Sequence, residues 1–225
     1  MNKLYRRAAL KFLQLPVIVG LLLFLPAGTF DYWEAWLFTA VFFACSLAIT
    51  IYLAVLDPRL LESRMNAGPG AEKEPAQKVI VFLALLCFAA VPVVSALDHR
   101  FGWSHVPPGV VLLGNALIVL SYIGFYFVFR ANRFGSATIQ IAEGQNVAST
   151  GPYRFVRHPM YSFALIMTVG MPLALGSGWG LAMLVPTLAV IIARLLDEER
   201  FLAKSLPGYA SYMKEVPHRL VPFVW

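Results

Sequence analysis

Charge is what this chain has least of. Only 13% of its 225 residues are Asp, Glu, Lys or Arg, too few to cover the surface of a soluble domain of that size. Cysteine is almost missing as well. Cys45 and Cys87 both lie in apolar runs without a histidine at metal-ligand spacing; both read as packing residues, and no metal site is expected. Tandem repeats and low-complexity tracts are absent. The basic, then apolar, amino terminus lacks a small-x-small cleavage site, so it reads as an anchor that stays. Gly176-Ser-Gly-Trp-Gly180 has the glycines of a nucleotide loop but sits between two apolar segments. It neither follows a strand nor opens a βαβ unit, so a tight hairpin turn is the reading and a soluble Rossmann module is excluded.

Long hydrophobic runs are present instead. The chain is 59% hydrophobic with a mean hydropathy of +0.70. Apolar stretches near the ~20 residues that cross a bilayer run over 12–30, 33–56, 79–97, 110–129, 160–175 and 178–196. The fifth has 16 residues and carries Pro172, and the sixth carries Pro186, which suggests a short or kinked hairpin. The runs are continuous rather than alternating, which favours helices over a barrel. The expected fold is all-α: a polytopic integral membrane protein of about six transmembrane segments, the last two paired. We read 1–225 as one membrane domain, in which residues 1–78 form spans without an assigned role.

All of the 18 basic residues except Arg100 fall on one side of that topology. They group at Lys3–Lys11, at Arg59, Arg64, Lys73 and Lys78, at Arg130–Arg157, and from Arg194 onward. The bias places both termini in the cytoplasm. It also accounts for the net charge of +6 through anionic membrane lipid, so no nucleic-acid partner is expected.

Two connectors carry distinct signals. In Asp57–Lys78, Leu60, Leu61 and Met65 give a short apolar face before Gly68-Pro-Gly70, as an interfacial helix would. Ala131–Arg157 is long, polar and broken by glycines, which marks a functional loop. After residue 196, Phe201, Leu202 and Leu206 form an apolar stripe. Pro207-Gly208 ends it, and Tyr209, Tyr212 and Met213 begin another short helix. The apolar, proline-bearing end, 216–225, is expected against the membrane face.

The densest polar chemistry lies in Gly151-Pro-Tyr-Arg-Phe-Val-Arg-His-Pro-Met-Tyr161 and in Arg194–Arg200. Pro159 disfavours helix at His158 and starts one after it. Arg157 and His158 therefore sit at a helix mouth, either as a seat for carboxylate or phosphate or as an interfacial anchor. Arg194 and Glu198, four apart, share a helix face. Together these charges at one membrane edge suggest a two-sided pocket open to water and lipid.

The carboxy-terminal part resembles the isoprenylcysteine carboxyl methyltransferase family. The resemblance is carried by Asn132-Arg-Phe, the Gly151–Tyr161 stretch, Asp197-Glu-Glu199, Tyr209-Ala-Ser-Tyr212, Val216-Pro217 and Leu220-Val-Pro-Phe223. It implies that 132–225 is the cofactor-binding half, with S-adenosylmethionine as cofactor. It implies that Tyr153, His158, Pro159 and Tyr161 line the cofactor site, with Glu198 and Glu199 closing it and Gln140, Tyr209 and Tyr212 contributing. Arg157 and Arg194 would orient the acceptor carboxylate or the cofactor. The acceptor would be a lipophilic or prenylated small molecule, and the location a bacterial inner membrane. A carboxylate acceptor needs no general base, so catalysis would rest on orientation and exclusion of water. An amine or thiol would need Glu198 or His158 as base. Phospholipid N-methyltransferases, thiol S-methyltransferases and NADPH-dependent sterol reductases share the hairpin pattern and stand as alternatives.

Overall fold

The computed structural model describes residues 3–72, 74–141 and 144–225, so Lys73 of the second basic group lies outside the described residues. Eight α-helices are seen there and no strand: α1 (Lys3–Ala27), α2 (Trp33–Leu56), α3 (Pro58–Met65), α4 (Pro75–Phe101), α5 (Pro108–Ala131), α6 (Pro159–Ala174), α7 (Leu184–Ser205) and α8 (Tyr209–Glu215). Five stretches are long and apolar enough to cross a membrane: α1, α2, α4, α5, and Trp179–Ser205, in which a 3-10 turn runs into α7. With 16 residues, α6 is only ~24 Å long, short of a ~30 Å hydrocarbon core. The all-helical membrane fold stands, with the fifth segment as its short member. Side chains such as Leu25, Val55 and Val185 remain more than 70% exposed, as lipid-facing positions must in the absence of water.

Helix boundaries follow local chemistry. The Asp57 side chain accepts the Leu60 N–H at 3.1 Å and Pro58 occupies the first turn of α3, a capped start. Gly102 ends α4 in the left-handed conformation, φ 63°, where a side chain would be strained. Pro159 opens α6, as expected from the sequence.

The α5–α6 pair is the tightest in the bundle because glycine lines it. A Cβ on Gly114 would stand 2.2 Å from the Ala174 nitrogen, and one on Gly170 2.9 Å from the Gly114 carbonyl oxygen. Close backbone approach through small residues substitutes for the hydrophobic drive that lipid does not supply.

Two apolar cores stack along the bundle. The first gathers Leu23, Tyr32, Phe38, Val91, Ile118, Met171 and Leu175. Beside it the Gly176–Gly180 turn is tied down: Asp98 accepts from the Ser104 and Ser177 hydroxyls, both at 2.6 Å, and from the Trp179 N–H at 3.2 Å. The glycines serve a hairpin, as expected. The second core joins Leu53, Val128, Tyr153, Leu206, Tyr209 and Tyr212. Leu60 and Leu61 belong to it, at 1% and 5% exposure. The apolar face of α3 thus packs on protein, because the end of α5 and the tyrosines of α8 already offer it an apolar floor; the interfacial reading of that face is corrected.

Contacts at the ends show how the chain alternates. Tyr5 donates to the Ala54 carbonyl, and Arg64 donates to Gly135 and Ser136, so the chain start, the α2–α3 junction and the loop after α5 share one end. Arg100 reaches the Pro26 carbonyl at the other.

Candidate functional site

A cavity of about 300 Å³ opens at the end that carries the basic loops. Its floor comes from α6, α7 and α8, and its roof from the polar loop between α5 and α6. Residues singled out from the sequence meet there: Gln140, Tyr153, Arg157, His158, Tyr161, Arg194, Glu198, Tyr209 and Tyr212 all line it. Pro159 and Glu199 stand behind the wall: Pro159 is buried as the first residue of α6, and Glu199 is 4% exposed.

Adjacent residues on a helix point about 100° apart, and Glu198 and Glu199 use that difference. Glu199 faces the protein, where it accepts from Arg157 Nε at 2.6 Å, Arg219 Nε at 2.9 Å, and lies 3.2 Å from His158 Nε2. Glu198 faces the cavity. It accepts the Tyr161 hydroxyl at 2.7 Å, and among the described residues no cation lies within ion-pair distance of it.

The arginines are held differently from the sequence expectation. Besides its bond to Glu199, Arg157 uses Nη1 on the Val216 and Pro217 carbonyls, at 2.7 and 2.8 Å. Arg194 turns to Glu72 at 2.6 Å, to Gln77, and to the Ala137 carbonyl at 3.2 Å. Arg194 and Glu198 share the cavity wall without pairing. Two backbone donors at the helix mouth are already engaged. The Arg157 and His158 N–H groups donate to the His218 and Arg219 carbonyls, at 2.9 and 3.0 Å, because the carboxy-terminal segment folds back to the start of α6.

Tyrosines make the remaining walls. Tyr153 accepts from Asn132 Nδ2 at 3.1 Å, and burial pushes its hydroxyl up to about 12. Tyr212 donates to the Tyr153 carbonyl at 2.7 Å. The Tyr209 hydroxyl is buried and has no hydrogen-bond partner among the described residues; burial, then the nearby Glu199 and Glu198, raise its pKa. A buried polar atom left unpaired on a cavity wall is costly and suits a ligand. At the mouth, Gln140 donates to the Ser136 hydroxyl at 3.2 Å. Val81 and Ala84 of α4 and Val190 and Ile191 of α7 form an apolar side of the same cavity.

Three contributors were not foreseen from the sequence. Glu72 and Gln77 hold Arg194, at 4% and 1% exposure. Arg64 of α3 lines the cavity and lies 5.1 Å from the Phe129 ring centroid. A signal for Arg64 existed: Leu60, Leu61 and Arg64 fall on one face of a capped helix, which places the arginine beside buried leucines.

One known protein and one family model bear on these helices. A 158-residue stretch is 29% identical to the delta(14)-sterol reductase TM7SF2 of Mus musculus, covering 61% of this chain. The chain spans little more than a third of that relative, 37% of its length. The family model described as phospholipid methyltransferase matches residues 109–207, the stretch that holds α5, α6 and α7 with His158, Tyr161, Arg194 and Glu198. The resemblance to the membrane methyltransferases is thus met by a family match over those helices.

Proposed function

We propose that the protein is an S-adenosylmethionine-dependent methyltransferase acting on a lipophilic or amphiphilic acceptor at the cytoplasmic membrane face. One observation carries this reading: Glu198 presents a carboxylate to the cavity with no ion-pair partner among the described residues. Such a carboxylate offers a partner to a cationic group of a ligand. The cofactor fits the donors present. Glu198 would meet its ammonium, Tyr209 offers an unpaired hydroxyl, and His158, Tyr153, Tyr161, Tyr212 and Gln140 supply aromatic faces and polar edges. When bound, it supplies an electrophilic methyl group on a sulfonium.

The chain's own part is orientation. Glu199 fixes Arg157 and His158, and Glu72 with Gln77 fixes Arg194, so cavity walls are set before a ligand arrives. The apolar side between α4 and α7 suits the acceptor's hydrocarbon portion and keeps water out. We favour a carboxylate acceptor of the isoprenylcysteine type, which is already ionised at neutral pH and needs no base. Phospholipid N- and thiol S-methylation remain the same class with Glu198 or His158 as base.

The mouse relative's name supports a second reading, reduction of a sterol-type substrate, for which NADPH would be the cofactor. Equilibrium binding of labelled S-adenosylmethionine and of NADPH to detergent-purified protein separates the two. Saturable binding of the sulfonium alone is expected; binding of NADPH alone would overturn the proposal.

A further inference from the structure

The cavity wall holds three arginines, and two already have acidic partners: Arg157 is paired with Glu199 and Arg194 with Glu72. Arg64 is different. Among the described residues no carboxylate lies within 4.0 Å of it. Its Nη1 donates to the Gly135 and Ser136 carbonyls at 3.3 and 3.2 Å and touches the Met160 sulfur at 3.3 Å. Its Nε and Nη2 make no hydrogen bond to a described residue. A partly buried guanidinium without a contact ion pair is unfavourable; burial lowers its pKa, opposed in part by Tyr161, Tyr153 and Glu198 nearby. Of the charged side chains that line the cavity, Arg64 and Glu198 are the two left without an ion pair among the described residues. One free cation and one free anion on the same cavity complement a zwitterion.

We propose that Arg64 is the anion seat of this cavity: it takes the carboxylate of the cofactor's amino-acid moiety while Glu198 takes its ammonium group. This rests on the cofactor reading above. It adds a residue from α3, outside the 109–207 family match, and a specific polarity for the bound ligand. The planar fork has Nε and Nη2 free for a bidentate carboxylate contact.

The test compares S-adenosylmethionine with its decarboxylated analogue by equilibrium binding to the full-length protein. Wild type should bind the decarboxylated form about ten-fold or more weakly. Arg64→Met should lose about ten-fold or more for S-adenosylmethionine and leave the decarboxylated form within about two-fold. Arg64→Lys, which keeps the charge, should fall between and provides the comparison if the methionine variant does not fold. Equal losses for both ligands would reveal a merely structural arginine and overturn the assignment. No loss for either would overturn it too, with the cofactor reading left standing. Wild type that binds neither ligand would instead overturn the cofactor reading and this inference with it.

Discussion

Glu199→Gln is the most informative single change in this molecule. The carboxylate is 4% exposed and holds Arg157, Arg219 and His158 within 2.6 to 3.2 Å. Glutamine keeps the shape but removes the charge, and its amide nitrogen turns a donor toward donors. Arg157, at 5% exposure, is then a buried cation with only main-chain carbonyls for company. Breaking a buried pair from one side costs about 3–5 kcal/mol. For a chain of this size each kcal/mol shifts Tm by about 2–4 °C, so thermal unfolding in detergent should fall by roughly 6–20 °C. The comparison that isolates the cause is the double variant Arg157→Leu/Glu199→Leu. Removing both charges eliminates the orphaned cation, so part of the lost stability should return. An unchanged Tm in Glu199→Gln, or a double variant that shows the simple sum of the two single losses, would refute the idea that this carboxylate organises the wall.

Other outcomes follow from the same geometry. Gly114→Leu should prevent correct folding, since even a Cβ there would fall 2.2 Å from the Ala174 nitrogen; a well-folded, active variant would contradict the α5–α6 packing. Reporter fusions after Trp225 and at Gly176 should lie on opposite sides of the membrane, with the first in the cytoplasm; the same side for both would remove the alternating topology. Tyr153, pushed up to about 12, is neutral in folded and unfolded chains below its ordinary value of ~10. Its contribution is therefore intact below pH ~10 and is lost as pH rises from there through about 12, a loss that Tyr153→Phe should lessen in alkaline melts. With a carboxylate acceptor the methyl-transfer rate should be flat from about pH 6 to 8; a steep rise would point to an amine or thiol.

Much of the fold was legible because membrane helices announce themselves by length and composition. The runs at 33–56 and 110–129 match α2 and lie within α5, and Pro159 begins a helix for a local steric reason. The Gly176–Gly180 hairpin was likewise legible as a turn, though its clamp on Asp98 was not. What escaped the sequence is long-range pairing. Arg194 and Glu198 sit four apart, the spacing of a local ion pair, yet Arg194 bonds to Glu72, 122 positions away. A local spacing rule ranks only local partners, whereas a buried arginine goes wherever the fold places an acid that is equally desolvated. The pairing of the carboxy-terminal segment was not legible for a similar reason: its carbonyls accept the backbone N–H groups of Arg157 and His158, a match that no periodicity encodes.

That pattern says how responsibility is divided along the chain. The stretch 109–207 supplies many of the residues that line the cavity, Tyr161 and Glu198 among them. It does not supply everything that holds the cavity wall. Arg194 depends on Glu72 and Gln77, and the Ile139 N–H donates to Glu72 at 3.4 Å. The segment from α3 to the start of α4, unassigned from the sequence, is therefore the scaffold of the cavity's roof. If that is its role, Glu72→Gln should weaken ligand binding by loosening Arg194 and the 135–139 wall together, although Glu72 does not line the cavity. Hydrogen exchange gives the separate readout: backbone amides from 135 to 140 should exchange faster in the variant, while those of α5 and α6 stay protected. Weakened binding with unaltered protection of the loop would mean that Glu72 acts through charge alone and that the roof is held by other contacts.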